Sequence, residues 1–235
     1  MKPYQSVVIQ DCGEPLVPLP LEQFAVLTPH PYQVLGAPYG DRSPYWLRAS
    51  VVQALVRAQE HLQAMRPGWR IQIFDAYRPI PVQQFMVDYT AHELAQKQGL
   101  DFETLPPSEQ DGILNQVYQF WAIPSLDPKS PPPHSTGAAV DVTLMDADGQ
   151  PVDMGSPIDE ISVRSHPNHF EQSFDPKSQH FHANRCLLRQ VLIQSGFQQH
   201  PNEWWHFSSG DQLWAWLKMQ ASSEQFWARY GRLDD

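Results

Sequence analysis

The sequence predicts an α+β fold, a mainly antiparallel sheet with helices packed to one side and a metal cleft. Three observations carry that expectation. Apolar residues recur at helical spacing from Leu47 to Met65; Val140, Val142 and Leu144 alternate with Asp141 and Thr143 as in a half-buried strand; and Asp148-Gly149 follows as a hairpin turn pair. Helices segregated from such a sheet define α+β. With 235 residues, 41% of them hydrophobic and 11% aromatic, one sizeable core is expected, so residues 1–235 are treated as one domain.

Residues 1–42 are rich in proline and poor in pattern, which predicts extended chain and short strands wrapped over the core. Ser43 followed by Pro44 reads as a helix start, with Leu47, Val51, Leu55, Leu62 and Met65 on one stripe until Pro67-Gly68 ends it. Ile71 and Ile73 begin a strand that delivers Arg78 at its end. A second helix follows Pro79, through Phe85, Tyr89 and Leu94 to Gly99. Within residues 100–133, Pro106-Pro107-Ser108 caps a helix carrying Ile113, Val117 and Phe120, and a proline-punctuated loop from Pro124 to Pro133 is placed to roof the cleft. After the Asp141 strand, Gln179-His180-Phe181-His182 alternates like a strand. Leu187, Leu188, Val191 and Leu192 then give a helix ended by Gly196, leading to a strand at Glu203–His206 and a last helix near Trp214 to Met219.

A net charge of −10 and a pI near 5.4 repel nucleic acid and anionic membrane surfaces, so neither is expected as a partner. The apolar run at the start is too short for a signal peptide and is followed by Asp11 and Glu14, and no stretch is long enough to span a bilayer. The expectation is a cytoplasmic protein with Cys12 and Cys186 reduced.

Two clusters carry the chemistry. His134 and Asp141 stand seven residues apart, and Glu203 and His206 three apart, supplying two imidazoles, a carboxylate and a spare acid. A catalytic zinc takes three such protein ligands and leaves one position for water, whereas a closed structural site usually needs several cysteines, and this chain has two. We therefore read His134, Asp141 and His206 as Zn2+ ligands and Glu203 as the base that collects a proton from zinc-activated water. Asp141 points away from the apolar face of its strand, and Gly137 lets His134 turn back toward the same point. Glu203 and His206 would lie on opposite faces of a regular strand, so a strand start or bulge at Glu203 is implied. Gln179-His180-Phe181-His182 has no paired carboxylate at useful spacing, and His166, His169, His180, His182 and His200 are read as surface or supporting residues.

These blocks, together with Phe74-Asp75-Ala76-Tyr77-Arg78-Pro79, Asp153 to Glu160, and Arg164-Ser165-His166-Pro167, occur in the order found in the zinc D-alanyl-D-alanine dipeptidases, and through most of its length the chain resembles that family. The family includes the enzyme of vancomycin-resistance operons and its wall-recycling relatives. The resemblance implies the same three zinc ligands, Glu203 as catalytic acid and base, Arg78 as the residue that stabilises the oxyanion, and Asp159 as the acid that receives the amino group of a dipeptide substrate. It implies hydrolysis of D-Ala-D-Ala to two D-alanines. The chain departs from the pattern at Pro132, where the family commonly has serine, and any hydrogen bond that serine gives to substrate must be missing or replaced. Two rivals stand beside this expectation: a D,D- or L,D-carboxypeptidase on longer peptidoglycan peptides, which would not need Asp159, and a non-catalytic zinc-bearing binding module, which would need neither Glu203 nor Arg78.

Overall fold

The computed structural model describes residues 2–233. Its main sheet has five strands in the order β2-β4-β5-β7-β6, formed by Ala25–Val26 (β2), Arg70–Asp75 (β4), Ala139–Met145 (β5), Gln198–Gln199 (β6) and His206–Ser208 (β7). All neighbours are antiparallel except the short edge pair β2 and β4. A second sheet pairs β1 (Leu16–Pro18) with β3 (Trp46–Arg48). The α+β class is as the sequence predicts.

The apolar set of the central strands faces one core. Ile71, Ile73, Val140, Val142, Leu144 and Phe207 are buried against the stripe Val51, Leu55, Ala58 and Leu62 of α2 (Ala49–Met65) and against Leu188, Val191 and Leu192 of α5 (Pro176–Gln194). A second cluster joins Tyr32 of the one-turn helix α1 (Pro31–Val34) to Val82, Met86 and Val87 of α3 (Ile80–Lys97) and to Ile113 and Val117 of α4 (Pro107–Val117). The last helix, α6 (Gln212–Ala221), packs on the N-terminal turn at Pro3–Ser6. Among the described residues no helix is long and apolar enough to cross a membrane.

Four sequence expectations need correction. Ser43-Pro44 does not start a helix: the Ser43 hydroxyl accepts from the Tyr45 amide, the chain passes through β3, and Leu47 packs from that strand. Helix α2 begins at Ala49, where Glu14, distant in sequence, accepts the Ser50 amide at 3.0 Å, so the capping group was invisible to a local reading. His180 and His182 lie within α5, whose N-terminus is set by Asp175 accepting from the Ser178 amide. Helix α4 stops at Val117, leaving Phe120 beyond it. Finally, the hairpin after β5 has a longer turn than two residues. The Asp146 amide bonds the Gln150 carbonyl, with Gly149 in the left-handed region.

Candidate metal centre

A β-bulge creates one wall of the site. Ile73 pairs with Val142, but Asp75 pairs with Asp141, so Phe74 is an extra residue that shifts the alternation of β4. Without that shift Asp75 would follow Ile71 and Ile73 into the core. With it, Asp75, Asp141 and His206 are direct cross-strand neighbours on β4, β5 and β7. All three are buried.

His134 arrives from a short 3-10 turn, Pro133–Thr136, that ends at Gly137 with φ +70°. A Cβ at Gly137 would press on a Leu16 methyl, and the left-handed backbone there favours glycine in any case. The Gly137 carbonyl accepts from the Arg48 amide and the Thr136 carbonyl from Arg48 Nε. These bonds fix the loop that aims His134.

The three sequence-designated ligands converge. His134 Nε2 is 3.2 Å from His206 Nδ1 and 3.2 Å from Asp141 Oδ2, and His206 Nδ1 is 3.0 Å from Asp141 Oδ1. Ligands about 2.0–2.1 Å from a tetrahedral centre stand roughly 3.3 Å apart, so the two ring nitrogens are spaced as two corners of a zinc tetrahedron, and a single Asp141 oxygen lies within 4.8 Å of both. The remaining ring nitrogens are committed. His134 Nδ1 is 2.7 Å from the Ala76 carbonyl, and His206 Nε2 faces the Ser208 hydroxyl, which donates to Asp211. Each outer partner accepts a proton and so leaves the inner nitrogen free to bind a cation. The two histidines hold the Asp141 carboxyl well below the usual carboxylate range against the opposing effect of burial. This donor set fits a zinc ion, and no other group of three or more such side chains among the described residues converges in this way. Zinc added to metal-free protein at about 100 times its dissociation constant is expected to stabilise the fold by about 2.7 kcal/mol. Calorimetry should show that gain in the wild type and its loss in His206→Ala.

Glu203 does not lie in a strand. It belongs to the connection between β6 and β7, bracketed by the bond from the His200 amide to the His206 carbonyl, which removes the conflict over opposite strand faces. Its Oε2 is 3.8 Å from His206 Nδ1, while its buried Oε1 has no hydrogen-bond partner. Burial, reinforced by Asp141, pushes its pKa well above the ordinary carboxylate value. His200 Nδ1, 3.7 Å away, accepts from the Asn202 amide, and burial holds its ring neutral, so it does not cancel the Glu203 charge.

Arg78 is clamped by acids and rings. Its Nε and Nη2 reach Asp75 Oδ2 at 2.9 and 2.7 Å, Nη1 donates to Gln83, and Nη2 lies 3.4 Å from Asp141. The guanidinium carbon stands 4.9 Å from the Trp121 ring centre and 5.2 Å from that of Tyr32. Asp75 has a second layer of support, with the Tyr39 hydroxyl at 3.1 Å and His30 Nε2 at 3.2 Å from Oδ1. Sequence reasoning passed over Asp75, Gln83, Trp121 and Tyr32. Only Asp75 left a signal, its place in the Phe74–Pro79 block, and its role depends on the bulge.

Asp159 lines the same cavity as the triad, Glu203 and Arg78. Its backbone sits at φ +64°, the single described non-glycine residue in the left-handed region, and it accepts a 2.7 Å bond from the Tyr32 hydroxyl. Burial and then Asp141 push its pKa up to about 7. All six sequence-designated residues thus meet in one cavity. The lining, however, also takes Phe120, Trp121 and Ala122 with Lys2 and Tyr4, and of the proline-rich loop only Pro133.

The chain is similar to known proteins along most of its length. A family model described as D-ala-D-ala dipeptidase matches residues 25–226. A D-alanyl-D-alanine dipeptidase of Synechocystis sp. is 50% identical over 242 residues, spanning 100% of this chain and 98% of that protein. One from Enterococcus faecalis is 30% identical over 165 residues, 69% of this chain and 72% of its own, and one from Escherichia coli is 43% identical over 74 residues, 32% of this chain and 36% of its own. Matched by the family model over most of its length and by a relative along all of it, the chain belongs to the D-ala-D-ala dipeptidase family of peptidases.

Proposed function

We propose that the protein is a zinc-dependent dipeptidase that hydrolyses D-Ala-D-Ala to two D-alanines. The observation that carries this reading is the acid-closed amino end of the cavity, where Asp159 is held by Tyr32 beside the His134, Asp141 and His206 triad. Family membership and the printed activity of the Synechocystis relative support the substrate.

Zinc at the triad would supply Lewis-acid activation of water and of the scissile carbonyl. Glu203 takes the proton from the attacking water at its unpartnered Oε1 and returns it to the departing amine, a task for which a raised pKa is suited. Arg78, fixed by Asp75 and Gln83, presents positive charge where the carbonyl oxygen becomes negative. Asp159 pairs with the substrate ammonium, which offsets the cost of ionising a buried acid.

Asp159 supports a dipeptide over a longer wall peptide, because a carboxyl that meets a free ammonium selects a substrate that ends there. The test compares free D-Ala-D-Ala with its N-acetylated form in wild type and in Asp159→Asn, since asparagine tolerates the left-handed backbone. We expect wild type to cleave only the free dipeptide and Asp159→Asn to lose about 10–100-fold in kcat/KM, mostly through KM. Equal cleavage of both forms by wild type would replace the dipeptidase with a carboxypeptidase.

A further inference from the structure

The proposed substrate is a zwitterion, and the cavity accounts for only one of its charges above. The acid end is Asp159, tied through the Tyr32 hydroxyl to Arg78 Nη2, which lies 3.4 Å from that oxygen. The guanidinium is already engaged by Asp75, Gln83 and two aromatic faces. Arg78 therefore belongs to the half of the cavity that holds the ammonium and the scissile carbonyl.

Glu203 and His200 share the cavity lining with Lys2, the only Lys or Arg besides Arg78 among the residues that line it. Lys2 is half-buried, and its charge acts on both Glu203 and His200. Its backbone is fixed. The Lys2 amide donates to Gln5 Oε1 at 2.8 Å and its carbonyl accepts from the Gln5 amide at 3.0 Å, which closes the turn at Pro3–Ser6. Tyr4 is buried beside it. Gln212 Nε2, from α6, holds the carbonyls of Gln5 and Val7 at 3.2 and 2.7 Å. Two elements distant in sequence, the first turn and α6, thus cooperate to fix the backbone that carries the Lys2 side chain.

No third Lys or Arg lines the cavity. Residues 131–133, which lead to His134, are all proline and carry no amide hydrogen. His200 is kept neutral by burial. A carboxylate on the departing residue would lie past the scissile bond, on the side away from Asp159, and Lys2 is the cation of the lining not already engaged by Asp75 and Gln83.

We propose that Lys2 binds the C-terminal carboxylate of the dipeptide, so that the enzyme selects a free acid at one end as Asp159 selects a free amine at the other. The inference rests on the dipeptidase reading and adds a specificity-determining residue to it. A charged hydrogen bond of this kind changes kcat/KM by about 10–100-fold.

The test measures kcat and KM for D-Ala-D-Ala and for its C-terminal amide, using full-length zinc-loaded protein tagged at the C-terminus, as wild type, Lys2→Met and Lys2→Arg. Wild type should prefer the free acid by about 10–100-fold. Lys2→Met should lower kcat/KM for the free acid about 10–100-fold more than for the amide, chiefly through KM. Lys2→Arg should recover most of the preference. If Lys2→Met slowed both substrates equally, or kept the preference for the free acid, the carboxylate assignment would be overturned while the dipeptidase reading stood. A wild type that cleaves neither substrate would remove the dipeptidase reading and this inference with it.

Discussion

Replacing Glu203 by glutamine is expected to lower kcat for D-Ala-D-Ala by about 10²–10⁴-fold, the range that a positioned acid or base contributes. The loss follows from chemistry and not from folding. Glu203 Oε1 is buried without a partner, so the carboxylate adds no hydrogen bond there that the fold would miss. Removing an ionisable group that burial already disfavours should leave the thermal midpoint unchanged or raised. Bound zinc, counted by elemental analysis, should stay at one per chain, because His134, Asp141 and His206 supply the ligands without it. Near wild-type turnover in Glu203→Gln would move the proton transfer to another group.

Arg78→Met is expected to fail in two separable ways. Losing an oriented donor at the developing negative charge costs about 10²–10³-fold in kcat. The same change strands Asp75, which is fully buried and whose carboxyl is held below the usual range chiefly by Arg78 against the effect of burial. Breaking a buried pair from one side costs about 3–5 kcal/mol, read as a shift in urea unfolding. Adding Asp75→Asn to Arg78→Met should restore most of that stability, since no orphaned charge remains, and restore none of the rate. Recovery of rate along with stability would mean that Arg78 serves the fold alone.

What the sequence made legible was whatever depends on short-range pattern. The alternation through Val140, Asp141 and Val142 placed Asp141 on the site face, and Gly137 marked the turn that brings His134 back to it. Helices α2 and α3 and the second half of α5 were visible as apolar stripes, ended by Pro67-Gly68, Gly99 and Gly196. The remainder depends on contacts between distant residues. Glu14 caps α2 from 36 positions away, so the helix start was misread at Ser43-Pro44. The bulge at Phe74 turns Asp75 from the core to the site, and nothing local in Ile71 to Asp75 announces it. Lys2 reaches the cavity only because α6 and its Gln212 hold the first turn in place. The strand proposed for Glu203 was a loop, since three-residue spacing meets at one ion if only His206 lies in β7.

The central claim is that this cavity hydrolyses D-Ala-D-Ala with zinc at His134, Asp141 and His206. The most direct measurement is release of free D-alanine from D-Ala-D-Ala by metal-stripped protein, before and after one equivalent of zinc, with His206→Ala in parallel. Two D-alanines per dipeptide, appearing only with zinc and only in wild type, is the result expected. Equal release without metal, or zinc-dependent release that survives in His206→Ala, would contradict it.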